Sequence, residues 1–167
     1  MNLLISDTCI LIDLYNGELL DSMCRLPYEL GVSDAVLSGF EDDESELIMP
    51  NPEQILRAGF KSYSISSEEL AEVYKLYSKY SRPSIYDIFG LVVAKKYNAI
   101  LLTGDGDLRE SAKSENIEIR GIIWVLDELI KHEVIDKHRA ANSLRKILDS
   151  GSYLPKKECD LRFDKWK

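Results

Sequence analysis

Two short runs, "NLLIS" at residues 2–6 and "AILLT" at 99–103, are apolar at almost every position rather than at every second one. A strand with one wet face alternates, so an unbroken apolar run of this length belongs to a strand buried on both sides. Such strands sit in parallel sheets whose crossover helices cover the two faces. The sequence between supplies those helices. "TCILIDLYNG" reads as a short helix ending near Gly17, and residues 18–25 as a second one stopped by Pro27. A strand at 30–33 leads into a helix that Asp34 caps, and "GFKSYSIS" gives another strand. Ser66 or Ser67 with Glu69 opens a helix whose Leu70, Val73, Tyr74 and Tyr77 recur at helical spacing. The next helix, starting at Pro83 and Ser84, carries Ile85, Ile88, Phe89, Leu91, Val92 and Tyr97 on a broad apolar face. A helix in "DLRESAKSEN", a strand in "IEIRG" and helices at 122–132 and 136–149 follow. Residues 42–54 read as an acidic surface loop and 151–167 as a polar C-terminal tail. The expected architecture is a three-layer α/β/α sandwich, with a central, mostly parallel sheet of four to five strands, over residues 1–150.

The chain's 167 residues suffice for one domain with a proper core. Its formal charge of −8 argues against holding nucleic acid by general attraction to phosphates; any phosphate bound here needs cations that reverse the local sign. Cys9, Cys24 and Cys159 are odd in number and far apart, which excludes a disulfide frame or zinc knuckle. The apolar runs are too short to span a membrane, and the N-terminal run carries aspartates in place of a basic leader. A cytoplasmic protein with no membrane partner is expected.

The acidic residues carry the chemistry. Asp7 directly follows the first strand, with Ser6 between, and Asp105 follows "AILLT" in the turn "TGDGDL". Both therefore lie just past the carboxyl ends of sheet strands, the rim where open α/β sheets bind ligands. Each acid has a plain structural reading. Asp7 and Asp105 can cap the helices after them, Asp87 can complete a capping box with Ser84, and Glu41 belongs to the solvated run "EDDESE". As a set drawn from separate elements they can converge on one crevice, and crowded carboxylates call for a cation. A ligand set of oxygens alone points to Mg²⁺ or Mn²⁺ rather than Zn²⁺. Other constellations fall short: His132 and His138 are six apart, "TGDGDL" lacks the third glycine and the lysine of a phosphate loop, and no G-x-S-x-G occurs.

The blocks "LLISDTCILIDL", "RPSIYDIFGLVVAKKYNAILLTGDGDLRESA" and "IRGIIWVLDELIKHEVI", in this order, resemble a PIN domain, the metal-dependent ribonuclease fold of many prokaryotic toxins of toxin–antitoxin pairs. The resemblance implies that Asp7, Asp87 and Asp105 are the catalytic, metal-holding acids, with Asp107 supplementary and Thr103, together with Ser6, a polar support. It implies an RNA substrate, an antitoxin partner and a homodimer, with the apolar residues of 18–25 and 66–80 forming the homodimer face or receiving an antitoxin segment. Two positions depart from the family pattern. Gly39 stands where a Glu is usual, leaving Glu41 as the nearest acid, and two residues of helix turn a side chain about 200° away. Cys9 stands where a short hydroxyl or amide usually follows the first Asp by two. Arg109, one helical turn past Asp105, is the candidate phosphate contact. The alternative reading is a PIN-fold binding module with a weakened centre.

Overall fold

A computed structural model describes residues 2–41 and 49–167. Of the acidic run read as a loop, residues 42–48 lie outside the described residues. The chain runs β1 (Leu3–Ser6), α1 (Thr8–Asn16), a 3-10 turn (Leu20–Arg25), β2 (Glu29–Ser33), α2 (Asp34–Glu41), α3 (Pro52–Arg57), β3 (Phe60–Tyr63), α4 (Ser67–Lys79), α5 (Ile85–Lys96), β4 (Ile100–Leu102), α6 (Gly106–Ser114), β5 (Ile119–Arg120), α7 (Ile122–Lys131), α8 (Lys137–Asp149) and α9 (Lys156–Lys165). All five strands are parallel, in the order β3-β2-β1-β4-β5, and β1 is central. The expected α/β sandwich is thus present, wholly parallel where a mostly parallel sheet was expected.

Strand alternation splits the core in two. Leu4, Leu30, Val32, Ile100 and Leu102 face α1, α7 and α8, while Leu3, Ile5 and Leu101 face α4, α5 and α6. All four β1 residues are buried, as the unbroken apolar run requires. Glu115, at the end of α6, accepts from Tyr80 Oη at 2.5 Å and pairs with Lys79 and Lys95. These donors, Tyr80 foremost, hold its carboxyl down at about 2 and tie α4, α5 and α6 together. The brace joins the C-terminal ends of these helices, opposite to the starts that carry Asp87 and Asp105.

Four details differ from the sequence reading. Residues 20–25 form a 3-10 turn, the form that short segments between breakers adopt. Part of the acidic loop is helical: Asn51 and Gln54 make a reciprocal capping box, with Pro52 at the first helical position of α3. On α4 the buried stripe is Val73 and Leu76, whereas Leu70, Tyr74 and Tyr77 are exposed. Finally, the polar segment after Gly151 contains α9, whose Cys159 and neighbouring Trp166, each 3% exposed, join the core beside α8. A bidentate pair from Arg162 to Asp127, with Nη2–Oδ2 at 2.8 Å, fastens α9 to α7. Among the described residues no helix is long and apolar enough to cross a membrane.

One buried acid lies away from the strand rim. Asp13, on the buried side of α1, has its carboxyl raised to about 6 by burial, against the opposing pull of a hydrogen bond from Ser152. The unfolded chain releases that proton near pH 4 and the folded chain near 6, so stability falls between those values and is flat above them. Asp13→Asn is therefore expected to melt higher than the parent at pH 8, by on the order of 2 kcal/mol, with the gap closing as pH approaches 4. Calorimetry at both pH values checks the sign; a gap that widens on acidification contradicts it.

Candidate metal and nuclease site

Asp7 sits where β1 ends. Its N–H still bonds Leu102 O at 3.0 Å, completing the ladder to β4, and its side chain already caps α1, accepting from Ile10 N at 2.9 Å. It is 2% exposed. Burial raises its carboxyl to about 7; Thr103, Ile10 and Cys9 pull it back by hydrogen bonding, and the charge of Asp87 pushes it up further. The Cys9 thiol lies 3.2 Å from both Asp7 oxygens. Burial first, and the Asp7 charge next, push that thiol up, so it stays protonated and donates. Ser6 is fully buried, but its hydroxyl donates to the main-chain O of Asp7 at 3.1 Å and leaves the carboxylate alone.

Asp105 lies in the turn after β4 and caps α6, with Oδ1 accepting from Asp107 N at 2.9 Å and Leu108 N at 3.4 Å. Thr103 links the two rim acids. Its hydroxyl hydrogen-bonds Asp7 and its oxygen accepts Asp105 N–H at 3.1 Å. Asp87 forms the capping box read from sequence, with Oδ2 accepting Ser84 N at 3.0 Å and Ser84 Oγ accepting Asp87 N at 3.1 Å. Burial raises its carboxyl, and the charge of Asp105 adds to the rise. Asp87 thus couples to Asp7 on one side and to Asp105 on the other. The capping readings hold: each acid spends oxygen on a helix start.

The remaining candidates sit outside this trio. Asp107 faces Arg82, with Nη1–Oδ1 at 3.5 Å in a largely exposed pair. Arg82 was not singled out from sequence, although it directly precedes Pro83 at the start of the Asp87 helix. Glu41 is exposed at the last position of α2. Gly39 faces inward beside Thr8 and Tyr86, in a hollow of about 150 Å³. A Cβ there would meet the Tyr86 ring at an ordinary 3.7 Å, so this face of α2 has room for a side chain and lacks one. Arg109 lines a separate, larger hollow beside Gly104 and Gly106.

Among the described residues, no group of three or more His, Cys, Asp or Glu side chains stands ready to enclose a metal ion. Mg²⁺ does not need such a cage. It retains several waters and is commonly held by one or two carboxylates plus substrate phosphate oxygens. A buried Asp7 and a half-buried Asp87, both pushed up by burial and by a neighbouring carboxylate, form an all-oxygen donor set that a hydrated divalent ion fits.

A parallel five-stranded sheet with acids at the carboxyl ends of its two central strands defines an α/β protein with a rim site. The family model described as a PIN domain matches residues 3–167, and the chain belongs to the PIN-domain family. PIN domains are in general nucleases that use divalent metals. Among solved structures, a PilT N-terminus domain protein from the hyperthermophilic archaeon Sulfolobus solfataricus shares the fold, at 12% identity and a TM-score of 0.50, with 92% of this chain and 97% of that one covered. No curated protein matches the chain in sequence.

Proposed function

We propose that this protein is a Mg²⁺- or Mn²⁺-dependent endoribonuclease, the toxin component of a toxin–antitoxin pair acting in the cytoplasm. The observation that carries this reading is the placement of Asp7 and Asp105 past the carboxyl ends of the paired strands β1 and β4, both touched by Thr103, with Asp7 buried and without a cationic partner among the described residues. Asp7, Asp87 and Asp105 would hold the ion, with Asp107 at the margin. When bound, a divalent ion neutralises phosphate charge and activates a water for in-line attack on phosphorus. The chain's own groups do the rest. Thr103 fixes the Asp7 carboxylate relative to the Asp105 turn, and Cys9 donates to both of its oxygens. Arg109 supplies a guanidinium for a backbone phosphate beside that turn. Leu70, Tyr74 and Tyr77, exposed along α4, offer the apolar face for a second copy or an antitoxin segment.

Gly39 and the exposed Glu41 favour one second reading, a PIN-fold binding module whose acidic centre holds metal weakly. Titrating Mn²⁺ while recording the melting temperature, alongside cleavage of a labelled single-stranded RNA, separates the two. The nuclease reading expects a Tm that climbs with metal concentration and RNA cut only when metal is present. A Tm unmoved at millimolar Mn²⁺, with intact RNA, supports the module.

A further inference from the structure

A hollow of about 720 Å³ lies beside the candidate site rather than in it. Its walls come from the Gly104–Gly106 turn, from β5 and the start of α7, and from the segment 153–155 that leads into α9. The volume falls in the range of about 300–1,000 Å³ that suits a small organic group. The lining is mostly apolar, yet two arginines, Arg109 and Arg120, enter it on a chain of net charge −8. Arg109 makes no ion pair among the described residues, and Arg120 has only an open pair with Glu118 at 3.7 Å, both about half exposed and worth little against water. Glu158 is the acid on the wall, and its carboxylate is engaged by Arg162 at 3.0 Å.

The aromatic groups are arranged unequally. Trp124 is already used: Tyr28 packs against it at 5.8 Å, and the Arg120 guanidinium lies 5.8 Å from its ring centre. That cation–π contact draws the Arg120 guanidinium towards the wall of the hollow. Tyr153 is 97% exposed, a large ring held out at the edge of an apolar hollow with no aromatic or polar partner among the described residues. Flat guanidinium planes and unpartnered aromatic rings are the surfaces on which unpaired bases stack, and a free arginine nearby meets the phosphate joining one base to the next.

We propose that this hollow is a base-binding subsite for single-stranded RNA, in which a nucleobase adjoining the scissile phosphate stacks on Tyr153 and the Arg120 plane while Arg109 holds the intervening phosphate. The assignment rests on the ribonuclease reading for its position, because Gly104 and Gly106 flank Asp105 and line the hollow directly. It also gives an acidic chain a place to grip RNA that does not depend on general attraction to phosphates.

The test is fluorescence anisotropy of a labelled single-stranded RNA 12-mer with the full chain in EDTA, so that binding is read without cleavage. Tyr153→Ala is expected to weaken binding about 5- to 100-fold, Tyr153→Phe to leave it within about twofold, and Arg120→Ala to weaken it as well. A fully base-paired RNA of the same length should not respond to Tyr153→Ala. Tyr153 is so exposed that its replacement does not threaten the fold, and unchanged melting curves confirm this. RNA bound equally well by parent and Tyr153→Ala overturns the subsite while leaving the nuclease reading intact. Binding that depends on Tyr153 in a chain that never cuts RNA keeps the subsite and removes the nuclease. A chain that ignores RNA but forms a dimer abolished by Tyr153→Ala overturns the proposal in favour of self-association.

Discussion

Asp7→Asn is expected to abolish RNA cleavage and, with metal removed, to melt at a higher temperature than the parent. The two effects share one cause. Asp7 is a carboxylate at the end of the central strand, buried, raised mainly by that burial and further by Asp87, and with no cation beside it among the described residues. Asn keeps an oxygen for the Ile10 N–H and caps a helix about as well as Asp, so the start of α1 is preserved. What disappears is a negative charge that the fold holds at a cost until a cation arrives, on the order of a few kcal/mol at pH 8. Parallel melts of both proteins with EDTA and with Mn²⁺ read the stability half. The parent should be the less stable in EDTA and the only one that gains from metal. A gel assay on labelled RNA reads the other half. Undiminished cutting by Asp7→Asn would remove Asp7 from the site, and a lower melting point in EDTA would show that its charge stabilises the fold.

Trp166→Ala is expected to lower the melting temperature by roughly 10 °C, from a loss of about 3–5 kcal/mol. Trp166 follows α9 and is 3% exposed in the cluster that contains Leu144 and Ile147 of α8. Arg162, bonded to Asp127, holds the same helix from its polar side, so the indole has no easy way to relax outward. Thermal denaturation by circular dichroism measures the shift. An unchanged melting point would mean that α9 is a loosely attached appendage.

The sheet was legible because the sequence states it twice, in two unbroken apolar runs, and the parallel order follows from the helices between them. The acids at the rim were legible for a related reason: a cap residue just past a strand has a fixed place in such a sheet, and Asp7 and Asp105 are both caps. The contents of α9 were hidden by composition. Its surface is charged all round, and its hold on the core comes from Cys159, one flanking Trp166 and an ion pair to a residue 35 positions away. The capping box at Asn51 and Gln54 was present in the sequence as N-P-E-Q, masked by the acidic stretch before it. Arg82 facing Asp107, and Tyr153 lining the same hollow as Arg120, are juxtapositions of distant segments. No local pattern encodes such pairings. They exist only once the sheet has set the spacing of its helices.

The central position of β1 also governs how the chain must assemble. Its neighbour β2 follows within about thirty residues, but the strand on its other side, β4, is synthesised almost a hundred residues later. During synthesis one edge of the buried strand β1 therefore waits unpaired, and the acidic rim cannot form before β4 is made. Pairings this distant in sequence fold slowly and leave sticky edges exposed meanwhile. Asp7 and Asp105 accordingly come together only after about the first hundred residues have been made.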